Sequence, residues 1–99
     1  MPFQLDRSPA ALEQYAELER DAGLRRQLKA VDKALDLLQA DPNYRGLNVH
    51  AMNGVACPHK GTLFVAYAQN NTPGAYRIFF CYPPNQRGWI YIIAITPHP

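Results

Sequence analysis

The sequence has 99 residues, a formal net charge of +2, 47% hydrophobic residues and 11% aromatic residues. This length suits one domain with a single core, and the composition excludes an intrinsically disordered chain. The charge is too small to indicate by itself either nucleic acid or an acidic protein as the partner.

The N-terminal stretch and the two cysteines bear on the cellular compartment. The first residues, MPFQLDRSPAAL, lack the basic region and apolar core of a signal peptide, and no apolar run reaches the roughly 18 residues that span a bilayer. Cys57 and Cys81 are too few for a metal cluster or a disulfide framework, so reduced thiols are expected. These features predict a soluble cytoplasmic protein without membrane association.

Two helices are predicted in the N-terminal half. Ser8 followed by Pro9 marks the first helix, because serine is a good N-cap and the first helical position needs no N–H. Gly23 is the predicted left-handed cap at its end. Its predicted inward residues are Leu12, Tyr15, Leu18 and Ala22. The second helix has apolar residues at steps of three and four, ends before Pro42, and has the stripe Leu24, Leu28, Val31, Leu35 and Leu38.

Strands are predicted from short runs rich in β-branched and aromatic residues that turn residues separate. The segment 44–61 is expected to be irregular, with a short strand as an option near residues 47–52. The predicted strands are residues 3–5, 62–68, 76–82 and 89–95. The whole chain, residues 1–99, is therefore predicted to form one α+β domain of order β-α-α-β-β-β. A helical hairpin would pack on one face of a twisted, mainly antiparallel four-stranded sheet.

Three short motifs, taken in order, resemble the RelE/ParE superfamily of bacterial toxins. Tyr76-Arg77-Ile78 is similar to a signature of that family at the start of the penultimate strand. His98 follows the last strand, where several members have a catalytic histidine. Leu47, His50 and Gly54 resemble a segment that follows the helices in some members. The ending ITPHP is similar to a RelE-like subgroup without a known activity.

The resemblance implies a toxin that a cognate antitoxin protein keeps silent. RelE-like members are endoribonucleases that cut mRNA on the ribosome, and this is the function that the resemblance favours here. The alternative is a non-catalytic binding module, either a ParE-like toxin directed at gyrase or an inactive homologue that binds only an antitoxin. Neither alternative requires a cofactor.

The candidate catalytic residues are Arg77, His98 and His50. RNA cleavage without a metal needs a base for the ribose 2′-hydroxyl, a cation for the phosphate and an acid for the leaving oxygen. Arg77 suits the cation, because a guanidinium is always charged and binds two phosphate oxygens. A histidine exchanges protons at neutral pH, since its ordinary pKa is about 6.5. Arg77 and His98 are expected to share a hollow on the sheet face away from the helices.

Lys60, Arg87 and Tyr67 are candidate RNA contacts, through phosphate charge and base stacking. Each candidate also has an ordinary explanation. Arg77 would be a surface arginine, His98 a tail residue, and His50 and Lys60 polar loop residues. Cys57-Pro58-His59 lacks the paired spacing of a zinc site, so no metal is expected. Five aromatic residues are expected to serve either as platforms for RNA bases or as core: Tyr67, Tyr76, Tyr82, Trp89 and Tyr91.

Overall fold

The computed structural model describes residues 2–58, 61–70 and 72–98. The elements of this part of the chain are β1 (Gln4–Arg7), α1 (Pro9–Arg20), α2 (Arg25–Ala40), β2 (His50–Ala56), β3 (Thr62–Tyr67), β4 (Tyr76–Cys81) and β5 (Trp89–Pro97). Two 3-10 turns, Ala22–Leu24 and Arg45–Leu47, precede α2 and β2. The α+β class is confirmed. None of the helices in the described residues has the length and apolarity to cross a membrane.

The first helix begins where the sequence predicts and ends earlier. Ser8 is the N-cap, and its Oγ accepts a hydrogen bond from the Ala11 N–H at 3.0 Å. The helix ends at Arg20, and the Asp21 side chain then accepts from the Gly23 N–H at 2.8 Å. The predicted left-handed cap at Gly23 is wrong, since this glycine does not have a positive φ. At the end of α1 the Asp21 backbone N–H donates to the Glu17 carbonyl, and the Asp21 side chain serves as the N-cap of the next turn, Ala22–Leu24.

The inward face of α1 is predicted correctly at Tyr15 and Leu18 and wrongly at Leu12 and Ala22, which are exposed. Leu12 is 56% exposed, whereas Ala11 and Leu18 are buried and Tyr15 is partly buried. These inward residues follow the i, i+4, i+7 spacing of one helical face. The Tyr15 hydroxyl donates a hydrogen bond to the Asp32 carboxylate on α2. This bond, together with burial, raises the pKa of Tyr15 to about 12.

The sheet has five strands in the order β1-β5-β4-β3-β2. β1 is parallel to β5, and every other neighbouring pair is antiparallel. The prediction of four strands is therefore wrong, because β2 is a full edge strand. Its register jumps between Met52 and Ala56, and Gly54 has a φ of +80°. This irregularity interrupts the alternation by which a strand is recognised in sequence.

Both helices pack on one face of the sheet, as predicted. Along β4, Ile78 and Phe80 are fully buried against the helices, so the side chains between them belong to the opposite face. The buried cluster between the two layers consists of Ala11, Leu18, Val31, Ala34, Leu35, Leu38, Leu47, Ala66, Ile78, Phe80, Ile90, Ile92 and Ile95.

The expectation of reduced thiols is wrong, because Cys57 and Cys81 form a disulfide. The two residues are 24 positions apart in sequence, yet their Cα atoms are 6.2 Å apart. The antiparallel course of β2, β3 and β4 brings them together, and both are buried. A sequence spacing of this kind carries no information about such a contact.

Candidate functional site

The sheet face opposite the helices, called here the outer face, brings together residues from four strands. Tyr67 on β3 is paired with Arg77 on β4, and Arg77 is paired with Thr96 on β5. His50 on β2 is paired with Val65, which lies two residues before Tyr67 on the same face. Paired residues point to the same side of a sheet. The register therefore groups His50, Tyr67, Arg77 and Thr96.

Tyr67 lies between the two candidate catalytic groups of this cluster. The guanidinium carbon of Arg77 is 4.2 Å from the centroid of the Tyr67 ring, which is a cation–π geometry. The His50 ring contacts the same tyrosine at a centroid distance of 5.6 Å and an interplanar angle of 72°. One aromatic ring therefore orients both a fixed cation and an imidazole.

Arg77 has a charge that the described residues do not neutralise. No carboxylate in the described part of the chain forms a salt bridge with it; the ion pair found there joins Arg20 to Glu13. Its Nε atom is buried and has no hydrogen-bond partner. A buried donor without a partner is unfavourable by about 1–3 kcal/mol, so such an atom calls for an explanation. The Arg77 guanidinium is therefore held without a carboxylate partner among the described residues.

The His50 ring is held in a defined tautomer. Its Nδ1 is 3.0 Å from the backbone carbonyl oxygen of Asn48. A carbonyl only accepts hydrogen bonds, so Nδ1 donates its hydrogen there and Nε2 of the neutral ring remains able to accept a proton. Asn48 has a φ of +48°, a left-handed conformation that asparagine tolerates, and this turn directs the chain into β2.

His98 lies at the end of the same sheet. Its backbone N–H donates to the Ala75 carbonyl at 2.8 Å, so the pairing of β5 with β4 continues past Pro97. His98 is two residues beyond Thr96, the partner of Arg77. Diagonal neighbours of this kind have Cα atoms roughly 7–8 Å apart, within reach of long side chains. The His98 side chain is exposed.

Arg87, one of the two remaining basic candidates, does not join this cluster. Arg87 is exposed in the connection between β4 and β5, at the opposite end of β4 from Arg77. Lys60 lies outside the described residues. Cys57 cannot ligate a metal as a thiolate because it is in the disulfide. Among the described residues, no group of three or more His, Cys, Asp or Glu side chains is arranged to hold a metal ion.

Two residues at the site were not among the sequence candidates. Thr96 lies opposite Arg77, and Asn48 holds the His50 ring through its backbone. The approach of Asn48 to His50 depends on a left-handed turn. Asparagine before a strand is a weak local signal for such a turn. The position of Thr96 depends on strand register, for which the sequence contains no local signal.

The architecture is that of the RelE/ParE-like toxin fold, so the predicted fold is confirmed. The YoeB/ParE toxin from Agrobacterium tumefaciens superimposes with a TM-score of 0.70, at 10% identity, over 97% of this chain and 99% of that one. The YoeB–YefM complex from Staphylococcus aureus gives 0.66, and the YoeB dimer from the same organism gives 0.63. Both show 13% identity and cover 100% of each chain.

These likenesses are likenesses of fold. No protein-family model and no curated protein sequence matches the chain. The resemblance to a subgroup that ends in ITPHP stays a prediction. What the fold and the outer face do chemically is therefore argued from the residues themselves.

Proposed function

We propose that this chain is the toxin of a toxin–antitoxin pair and a metal-independent endoribonuclease that cleaves mRNA on the ribosome. The observation that carries this proposal is the cluster of His50, Tyr67 and Arg77, with its unneutralised guanidinium, on the open side of a YoeB-like sheet. The cognate antitoxin is a protein, as in the YoeB–YefM complex from Staphylococcus aureus. The proposed site of action is the cytoplasm, where mRNA is translated.

The proposed reaction uses the 2′-hydroxyl of the RNA as the nucleophile. His50 accepts the 2′-hydroxyl proton at Nε2, the 2′-oxygen forms a bond to phosphorus, and the bond from phosphorus to the 5′-oxygen breaks. His98 donates a proton to that leaving oxygen, so the products are a 2′,3′-cyclic phosphate and a 5′-hydroxyl. Arg77 stabilises the charge that develops on the non-bridging oxygens in the transition state.

The remaining candidates have binding roles in this proposal. Tyr67 holds the Arg77 guanidinium and offers its ring edge to a nucleotide, while Lys60 and Arg87 contact phosphates outside the reacting centre. No metal or organic cofactor takes part. In this proposal, the largest contribution to the cleavage rate is the electrostatic stabilisation of the transition state by Arg77. Arg77 is therefore the first residue to replace.

Induced expression of the wild type and of Arg77→Ala tests the proposal. We expect the wild type to arrest growth, with protein synthesis falling first and new mRNA 5′ ends appearing within coding regions. Arg77→Ala should relieve the arrest and lower the cleavage rate by about 10²- to 10³-fold. Arg20→Ala removes the same type of side chain from an exposed salt bridge on α1, and it should behave as the wild type.

Two outcomes contradict the nuclease. Arrest with DNA damage and intact mRNA would indicate a ParE-like action on gyrase. Absence of arrest with soluble, folded wild-type protein would indicate an inactive homologue that binds only an antitoxin. A small acidic reading frame next to this gene would support the antitoxin partner.

A further inference from the structure

A change of phase in β5 determines which side chains reach the outer face. Ile90 and Ile92 are buried at a spacing of two, but the next buried residue is Ile95, at a spacing of three. The register shows the same step, because Phe80 pairs with Ile92 and Phe79 pairs with Ala94, leaving Ile93 as the extra residue. This is a β-bulge. Without it, Thr96 and His98 would point toward the helices.

The bulge lies where β5 loses its other neighbour. β1 pairs with β5 up to Arg7 and Ile92, and then the chain turns into α1. Beyond this point, none of the described strands pairs with the edge of β5 that faces away from β4, and α1 packs along that edge instead. Unpaired strand N–H groups need other acceptors when they are covered.

Ser8 and Gln14, from the cap of α1 and from α1 itself, supply partners for this edge of β5. The Ser8 backbone N–H donates to the Ile92 carbonyl at 2.9 Å, and the Ser8 hydroxyl donates to the Ile93 carbonyl at 2.6 Å. The Gln14 Oε1 accepts the Ile95 N–H at 2.7 Å. The Ser8 hydroxyl therefore binds the extra residue of the bulge, Ile93, and Gln14 binds Ile95, two residues further along β5.

The direction of the N–H groups shows why Gln14 is the key contact. The His98 N–H points to β4, where the Ala75 carbonyl accepts it. N–H directions alternate along a strand, so positions 95 and 97 direct their nitrogens away from β4. Position 97 is proline and has no N–H. Beyond the bulge, the Ile95 N–H is therefore the outward donor that needs a partner, and Gln14 provides it.

We infer that Gln14 is a positioning residue: its side-chain amide replaces the absent edge strand and holds the end of β5 in the register that keeps Thr96 and His98 on the Arg77 face. The catalytic consequence rests on the proposed nuclease function. The structural consequence, a fixed register at the end of β5, does not depend on it. The two are tested separately.

Hydrogen exchange measured by NMR tests the register. Gln14→Leu keeps a side chain of similar length but has no acceptor, whereas Gln14→Glu keeps the acceptor oxygen. Gln27→Leu is the matched control, since Gln27 is also half-buried in a helix and its Oε1 has no hydrogen-bond partner. In Gln14→Leu, we expect about tenfold faster exchange at Ile95. We also expect faster exchange at His98, whose bond is to β4.

The exchange rate at His98 shows whether Gln14 holds the whole end of β5 or only makes one local hydrogen bond to Ile95. Faster exchange at both Ile95 and His98, unchanged exchange at Ile78, and recovery in Gln14→Glu support the inference. Faster exchange confined to Ile95, or equal acceleration throughout the core, overturns it. So does a loss of protection in Gln27→Leu equal to that in Gln14→Leu.

Cleavage kinetics test the catalytic consequence in the same variants. Gln14→Leu should lower kcat about tenfold with little change in KM, and Gln14→Glu should restore it. Unchanged kcat in a variant with a loosened β5 end refutes the catalytic role of Gln14. If wild type and Arg77→Ala show equal, background cleavage, the nuclease proposal fails, and the exchange data still decide whether Gln14 fixes the register.

Discussion

The contact between Arg77 and Tyr67 allows a quantitative test of the site. The guanidinium carbon is 4.2 Å from the ring centroid, well inside the roughly 6 Å at which a cation–π interaction is effective. Both residues are half-buried. Cation–π contacts contribute about 0.5–1 kcal/mol at exposed positions and about 2 kcal/mol when desolvated. An intermediate value of about 1 kcal/mol is therefore expected for the coupling between these two side chains.

A double-mutant cycle isolates this coupling. The free energies of unfolding are compared for the wild type, Tyr67→Ala, Arg77→Ala and the double variant, by urea titration followed with circular dichroism. The contact of Tyr67 with the His50 ring is lost in both Tyr67→Ala backgrounds, so its contribution cancels in the cycle. The urea slope for a small domain is about 1–2 kcal/mol/M. A coupling of about 1 kcal/mol should therefore make the midpoint of the double variant differ by about 0.5–1 M from the value expected if the two single effects were additive.

Tyr67→Phe is the control, because phenylalanine retains the aromatic face. The cycle that combines Tyr67→Phe with Arg77→Ala should give a coupling energy close to zero, because Tyr67→Phe removes only the hydroxyl. Strictly additive effects of Tyr67→Ala and Arg77→Ala would refute the reasoning. The guanidinium would then not rest on the ring in solution, and Tyr67 could not be the residue that orients Arg77.

Two further predictions concern stability. Reduction of the bond between Cys57 and Cys81, or its removal by Cys81→Ser, should lower the free energy of unfolding by about 3 kcal/mol, from the 24-residue separation; an unchanged urea midpoint with and without reductant would contradict this. Because the pKa of Tyr15 is raised to about 12 in the folded state, stability should fall as pH rises from about 10 to about 12, where only the unfolded chain has lost that proton. Tyr15→Phe should flatten this slope relative to Tyr44→Phe, which alters an exposed tyrosine.

Local signals account for the elements that the sequence predicted well. The start of α1 depends on Ser8 and Pro9, which are adjacent, and the stripe of α2 depends on spacings of three and four. β3, β4 and β5 are dense apolar runs between turn residues. β2 was not predicted as a full strand, because Gly54 and the register jump break its alternation.

The candidate site was predictable as residue types and not as an arrangement. Arg77 interrupts an apolar strand, so its charge marks it out in the sequence. The contact of Arg77 with Tyr67 depends on the register of β3 against β4. The contact of His50 with Tyr67 depends on the pairing of β2 with β3. Arg87 belongs to the same residue type, yet it lies at the other end of the sheet. Residue type alone could not separate these two arginines.

The amino-acid sequence alone determined the helical hairpin, the class of fold and the presence of one arginine in an apolar strand, because each depends on residues close together in the chain. Only the tertiary structure decided the fifth strand, the disulfide and the outer-face cluster. The reason is physical. Strand register and a single bulged residue in β5 determine which side chains are neighbours, and both arise from contacts between segments that are distant in sequence.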